Sequence, residues 1–178
     1  MAVIGLISDT HGLLRPEVAP ALAGADLILH AGDIDTLEVL EQLRSLAPVV
    51  AVRGNNDEGD WATAIPETQV TQVGSVRIYM LHDLNDIDVS PVAAGFQVVV
   101  SGHTHQPAID RRDGVLFVNP GSAGMPLDGD PRAAWATWDG DFEFRRTEYD
   151  VARAAAGYRS MGGDFGEFAA NRIERGSD

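Results

Sequence analysis

The sequence contains no cysteine in 178 residues. Disulfides, thiolate zinc sites and thiol nucleophiles are thereby excluded, and any metal must be held by oxygen and imidazole nitrogen. Basic residues are scarce: 13 Lys and Arg stand against 27 Asp and Glu, for a formal net charge of -14. A nucleic-acid footprint needs clustered basic side chains, so no extended nucleic-acid binding is expected. Long apolar runs are missing as well. No stretch approaches the roughly 18–20 apolar residues of a membrane helix, and Met1 leads directly into an apolar segment without a basic leader. These absences imply a cytoplasmic protein with no membrane partner. At 44% hydrophobic and 22% charged residues, the composition suits one globular domain spanning 1–178.

Five histidines are present, and all lie in or beside short polar motifs: Asp9-Thr10-His11, His30-Ala31-Gly32-Asp33, Gly54-Asn55-Asn56-Asp57, His82-Asp83 and Gly102-His103-Thr104-His105. Each motif closes an apolar run, VIGLIS, LIL, VVAV, VRIYML and FQVVVS in turn. An apolar run that ends abruptly in His, Asp, Asn and Gly reads as a buried strand delivering polar side chains at its carboxyl end. Open α/β sheets place their ligands there.

The first half alternates strand and helix. Strands are expected at 3–8, 27–29 and 49–52, with a short helix over 15–22. A second helix is expected from a Thr36 cap through Leu46, with Leu37, Leu40, Leu43 and Leu46 at helical spacing. That order predicts a parallel sheet. Later segments pair around two-residue turns: 69–73 with 76–81 about Gly74-Ser75, 108–112 with 115–118 about Asp113-Gly114, and 134–138 with 142–146 about Asp139-Gly140. A strand over 96–100 follows a short helix near Pro91. The tail from Asp150 reads as helical, interrupted at Gly162-Gly163. Two packed sheets with helices outside them follow from this order.

The polar set comprises the carboxylates of Asp9 and Asp33, the amide of Asn55 and the imidazoles of His11, His82, His103 and His105. Mixed oxygen and nitrogen donors without sulfur suit Mn, Fe, Ni, Co or Zn rather than Ca or Mg. A carboxylate can bridge two ions. Two ions roughly 3.5–4 Å apart can clamp a phosphate and hold a bridging hydroxide for in-line attack. Metal-assisted phosphoester hydrolysis is the chemistry these residues suggest.

The order DxH, GD, GN, H and GHxH resembles the calcineurin-like metallophosphoesterases. The SDTHG start, the SGHTHQP segment and the VNPGS strand exit at 118–122 look like the small prokaryotic phosphodiesterases of the YfcE type. The resemblance implies a four-layer α-β-β-α sandwich of two mixed sheets. It implies one metal held by Asp9, His11, Asp33 and His105, and a second sharing Asp33 and taking Asn55, His82 and His103. Two divalent transition metals are expected, manganese first, with nickel, iron or zinc as the others. A small phosphodiester is the implied substrate, and a homodimer is plausible for a domain of this size. Two functional alternatives stay open: a phosphomonoesterase or nucleotide phosphatase using the same site, and a non-catalytic scaffold like the retromer subunit of this fold.

Two positions depart from the wider family. Asn56 stands where many members carry a histidine that assists the leaving group. An amide cannot act as a general acid, a role worth ~10²–10⁴-fold in rate, so substrates with poor leaving groups should be slow. Asp33, Asn55 and Asn56 are the residues expected closest to the chemistry. At the second position His82 is followed by Asp83 in place of Gly. That carboxylate either orients a ligand imidazole or faces solvent.

Plainer roles suit other residues. Any one of the histidines alone would be structural, and His30, outside the family pattern, is expected to be a buried hydrogen-bonded residue. The stretch 57–60 reads as a solvated turn, with Asp57 supporting the Asn55 loop. Ser122 and Asn119 either touch phosphate or build a turn. Arg53 is either a phosphate clamp or an ion-paired structural residue. The Leu37, Leu40 and Leu43 stripe is expected in the core, and Trp61, Trp135 and Trp138 are packing or interface residues.

Overall fold

A computed structural model describes residues 2–175. Met1 and residues 176–178, included in the expected 1–178 domain, lie outside the described residues. Ten strands form two five-stranded sheets. The first contains β1 (Ile4–Ile7), β2 (Leu27–His30), β3 (Val49–Ala51), β9 (Ala133–Trp138) and β10 (Phe142–Thr147), ordered β10-β9-β1-β2-β3. The second contains β4 (Thr68–Val73), β5 (Val76–Leu81), β6 (Val98–Val100), β7 (Ala108–Arg112) and β8 (Val115–Asn119), ordered β4-β5-β6-β8-β7. In the first sheet β1, β2 and β3 run parallel, with β3 at one edge and the antiparallel pair β9 and β10 at the other, and Leu6 lies opposite Leu29. In the second sheet the three central strands run parallel between antiparallel edge strands, with Ile78 opposite Val98.

The strands alternate between two cores because side chains change face at every residue. Leu6, Leu29, Ile78, Met80, Val98 and Val100 point between the sheets and form the central core. Their neighbours Ile7 and Ile28 face outward against α1 (Ala19–Leu22) and α2 (Leu37–Arg44). Tyr79, Leu81 and Val99 face the other way, with Ala94 of α4 (Pro91–Ala94) packed on them. Two-sided burial explains why β1 has no exposed position. A short α3 (Asp60–Thr63) links the sheets. The closing pair, α5 (Val151–Met161) and α6 (Gly163–Arg175), forms its own small core around Tyr158 and Ile173. The result is an α/β sandwich. None of the described helices is long and apolar enough to cross a membrane.

Several boundaries moved. The helix expected over 15–22 is helical only over Ala19–Leu22, because residues 16–18 make a turn. Arg15 is buried instead, donating to the Gly124 carbonyl at 2.6 Å with its guanidinium 4.4 Å from the Tyr149 ring. In α2 the core stripe is Val39, Leu40 and Leu43, while Leu37 at the first turn is exposed. Thr36 has extended backbone at the cap but makes no side-chain cap hydrogen bond.

Candidate metal centre

The loops leaving β1, β2, β3, β5 and β6 meet at one end of the sandwich, and with them come the polar side chains singled out from the sequence. Ligand atoms of Asp9, His11, Asp33 and His105, all buried, lie within 4.8 Å of one another and could hold a metal ion. Asp33 stands at the middle of the group. Its Oδ2 is 3.8 Å from His11 Nε2 and its Oδ1 is 3.4 Å from His82 Nε2. Beyond His82, Asn55 Oδ1 lies 3.1 Å from His82 Nε2 and 3.0 Å from His103 Nδ1. All seven residues named as ligands by the resemblance are therefore neighbours.

The local backbone is unusual in the same place. Seven described non-glycine residues have positive φ, and Asp9, His11, Asp33, Asp35, His103 and His105 are six of them. Non-glycine residues rarely occupy that region, and where they do the surroundings hold them in it, most often at functional sites. Gly32 and Gly54 make the close approach feasible: a Cβ on Gly54 would collide with the Asp33 carboxylate, and one on Gly32 with the His82 ring.

Hydrogen bonds set which ring nitrogen of each histidine is free. A carbonyl can only accept, so His82 Nδ1 donates to the Ala31 carbonyl at 2.7 Å and His105 Nδ1 donates to the Met125 carbonyl at 2.6 Å. His11 Nδ1 is held by the Asp35 carboxylate at 3.1 Å. In the neutral form of each ring, the form that binds a metal, Nε2 is the lone-pair nitrogen, aimed into the cluster. The Nε2 atoms of His11 and His105 face each other at 3.2 Å. Asp9 is fully buried and its Oδ2 has no hydrogen-bond partner, whereas Oδ1 accepts from the His103 amide at 3.2 Å. Converging lone pairs beside an unpartnered buried carboxylate oxygen fit a divalent transition metal.

Titration behaviour agrees. Burial opposes ionisation of Asp33, yet its hydrogen bond with His82 and the Asn56 amide hold its pKa well below the ordinary carboxylate range. Asp9 is likewise lowered despite burial, through His105 and His82. Burial works against a proton on His82, but Asp33 and Asp9 push its pKa up to about 9. Burial also opposes a proton on His11, and Asp35 outweighs it to raise that pKa. Ionised carboxylates here favour positive charge in their midst.

The remaining expectations divide. His30 is buried, its Nδ1 accepting from the Gly32 amide at 3.2 Å and its Nε2 3.1 Å from the Thr10 hydroxyl, and burial lowers its pKa to about 4. It is the hydrogen-bonded structural histidine expected. Residues 58–60 are exposed as expected, but Asp57 is buried; it accepts from the amides of Ile34, Asp35 and Gly54, each at 2.7 Å, and so supports the Asn55 loop as expected. Asn56 donates its side-chain amide to Asp33 Oδ2 at 2.6 Å and its backbone N–H to Oδ1 at 2.9 Å. Asp83 Oδ2 lies 3.5 Å from His103 Nε2 and so faces that ring rather than His82. Ser122 is fully buried between the Asp9 carbonyl and the Met125 amide, and Asn119 donates to the Gly102 carbonyl. Both build the turn. Arg53 is ion-paired with Glu67 at 2.5 Å. Asp35 was not singled out from sequence, and its lone carboxylate after GDI carries no signal without the fold.

A groove of about 420 Å³ opens beside His82 and His103. Its walls include Glu67, Asp83, Asp86 and Asp88, with Arg53 as the arginine among them.

A family model described as calcineurin-like phosphoesterase superfamily domain matches residues 2–141. A probable metallophosphoesterase of Methanothermobacter thermautotrophicus is 34% identical over 167 residues, covering 85% of this chain and 96% of that protein. Phosphodiesterase YfcE of Escherichia coli is 30% identical over 165 residues, covering 75% of this chain and 85% of its own length. In structure the chain is similar to a metallophosphoesterase from Sphaerobacter thermophilus, with a TM-score of 0.75 at 24% identity, over 98% of this chain and 99% of the other. It is also similar to Vps29 from Chaetomium thermophilum, with a TM-score of 0.71 at 23% identity, over 84% and 91%. At these identities the structural likeness concerns the fold.

Proposed function

The chain belongs to the calcineurin-like phosphoesterase superfamily, and from that premise we propose that it is a phosphodiesterase working through two divalent metal ions. Asp9, His11, Asp33 and His105 would hold one ion. Asp33, Asn55, His82 and His103 would hold the other, making Asp33 the shared ligand. Manganese is the first choice, with nickel, iron or zinc as the others. When bound, the ions supply charge neutralisation on the phosphoryl oxygens and an acidified water as nucleophile.

One observation carries this reading. Three buried imidazoles have Nδ1 engaged by backbone carbonyls or Asp35, so their Nε2 lone pairs converge on two ionised carboxylates. Buried lone pairs and an unpartnered carboxylate oxygen cost stability without a cation, which supports a metal-loaded site; turnover separates the enzyme from a metal-binding scaffold.

The chain's own residues then have distinct tasks. Asp35 fixes the His11 ring, Asp83 faces Nε2 of His103, and Asp57 ties the loop of Asp33 to the loop of Asn55. Asn56 anchors the Asp33 carboxylate with one N–H of its amide and has a second N–H to offer a phosphate oxygen. It has no proton to give an alkoxide. Diesters and activated esters are therefore preferred over alkyl phosphomonoesters.

The test is a panel of phosphodiesters and phosphomonoesters assayed with Mn, Ni, Zn and Mg in turn, alongside metal analysis. An aryl phosphodiester should turn over in a transition-metal-dependent way, and Asp33→Ala should lose both bound metal and activity. Faster hydrolysis of phosphoserine peptides than of the aryl diester would overturn the substrate preference. A wild-type protein that binds no transition metal and hydrolyses nothing would overturn the enzyme reading itself.

A further inference from the structure

The closing helix pair lies beyond the residues 2–141 that match the family model, yet it reaches the candidate centre through Tyr158 and Phe165. Gly162 and Gly163, both at positive φ, turn α5 into α6. The two helices meet closely at Gly166, where an added Cβ would run into the Tyr158 carbonyl oxygen. That approach sets where the first turn of α6, which carries Phe165, lies on α5. Phe165 stands 6.4 Å from the His11 ring, tilted by 48°, and edge-on to Tyr158 at 6.4 Å. Tyr158 is buried and donates its hydroxyl to the His11 carbonyl at 3.4 Å. Phe165 itself remains 43% exposed. An aromatic ring beside a polar centre and open to solvent is placed to contact a ligand held there.

The two ends of the centre differ in character. Asp33 separates them, with Oδ2 toward His11 and Oδ1 toward His82. At the His82 end the groove wall is acidic, and its arginine is already paired with Glu67. A substrate with a second phosphate would meet like charge there. At the His11 end stands Phe165.

We propose that Phe165 is a specificity-determining residue whose ring, beside His11, forms a subsite for an aryl or other flat apolar substituent on the substrate phosphate. This deepens the phosphodiesterase reading and rests on it. The favoured substrate has one phosphate, singly charged as a diester, with a planar apolar group that lies against Phe165.

Two phosphonates separate the contribution of the ring from that of the metal centre. Phenylphosphonate and methylphosphonate carry the same head group, and calorimetry on the metal-loaded full chain measures both affinities without turnover. Phe165→Ala should weaken phenylphosphonate by about tenfold, the scale of one aromatic contact, while leaving methylphosphonate affinity and bound metal unchanged. Phe165→Tyr should restore the aryl preference. Equal weakening of both phosphonates, loss of metal, or a change in native mass would make Phe165 a structural or interface residue and overturn the proposal. An unchanged ratio would overturn it too. Failure of the wild-type protein to hydrolyse any diester, with the phosphonate preference intact, would instead count against the catalytic reading alone, so the two failures are distinguishable.

Discussion

Asp57 shows how much one carboxylate can organise. It accepts three backbone N–H groups, two from the loop after β2 and one from the loop after β3, and so holds Asp33 and Asn55 in register. Asp57→Ala leaves three donors without a partner and should cost about 3 kcal/mol or more, measured by urea denaturation. Asp57→Asn should cost about 1–2 kcal/mol, because Oδ1 keeps two of its donors while an amide group confronts the Gly54 N–H. Equal stability of both variants to wild type would refute this role. His30 offers a pH-linked counterpart. Burial lowers its pKa to about 4 from 6.5, so the unfolded chain binds the proton first and the stabilising contribution is complete only above pH ~6.5. As pH falls toward the folded value that contribution is lost, by about 2 kcal/mol between pH ~7 and ~5. His82, raised to about 9, acts in the opposite sense: its contribution is present below pH ~6.5 and disappears as pH rises through about 9. Comparing chelator-treated wild type with His30→Gln isolates the first effect. The variant's stability should fall less steeply below neutrality, and parallel slopes would contradict the assignment.

At the level of elements, strands were the legible part of the fold and the reason is physical. Runs such as VRIYML and FQVVVS alternate between two apolar surroundings, and each ends in a ligand-type residue that only a strand terminus can present. Helix α1 was less legible because Arg15 looks like a surface helix residue, while in the fold it is buried against Tyr149 and Tyr158, more than 130 positions away in sequence. Pairing of β9 with β1 joins the last strands to the first sheet, and no local pattern encodes that. The seven candidate ligands were legible because their residue types are unusual at strand ends. Asp35 was not, since its partner is a ring supplied by another loop; Asp57 was legible as support for the Asn55 loop, but its burial and its bonds to the Asp33 loop were not. Phe165 was hidden for the same reason, as its meaning depends on how α6 docks. Docking of α6 on α5 can be tested with two glycines. Gly166→Ala drives a Cβ into the Tyr158 carbonyl and should destabilise by about 1–3 kcal/mol. Gly157→Ala, inside α5 with nothing within 4 Å of the added carbon, should stabilise by up to about 1 kcal/mol. Thermal unfolding of the pair reads both signs, and a tolerated Gly166→Ala would mean that the helices do not meet as described.

Across the whole molecule, the candidate centre is the place where the two sheets share a set of side chains. Asp9, His11, Asp33 and Asn55 leave the first sheet, and His82, His103 and His105 leave the second. Behind it the sheets meet face to face through apolar side chains of the central core, which hold them by burial. Ions bound as proposed would cross-link the layers, and would also offset four units of a net charge of -14 that otherwise opposes compaction. Because unfolding separates the ligands, the ions bind the folded state and stabilise all of it. A single site filled at a hundredfold excess over its Kd contributes about 2.7 kcal/mol. Removing metal with a chelator should therefore lower Tm for the entire sandwich in one transition, and adding Mn should restore it in proportion to the logarithm of concentration. His11→Ala and His82→Ala cut the link from opposite sheets, so each should weaken the metal-dependent increment even though the two residues belong to different layers. Calorimetry with and without chelator decides the matter. A Tm unchanged after metal analysis confirms its removal, or a metal-dependent shift confined to one of two separate transitions, would show that the ions do not join the sheets.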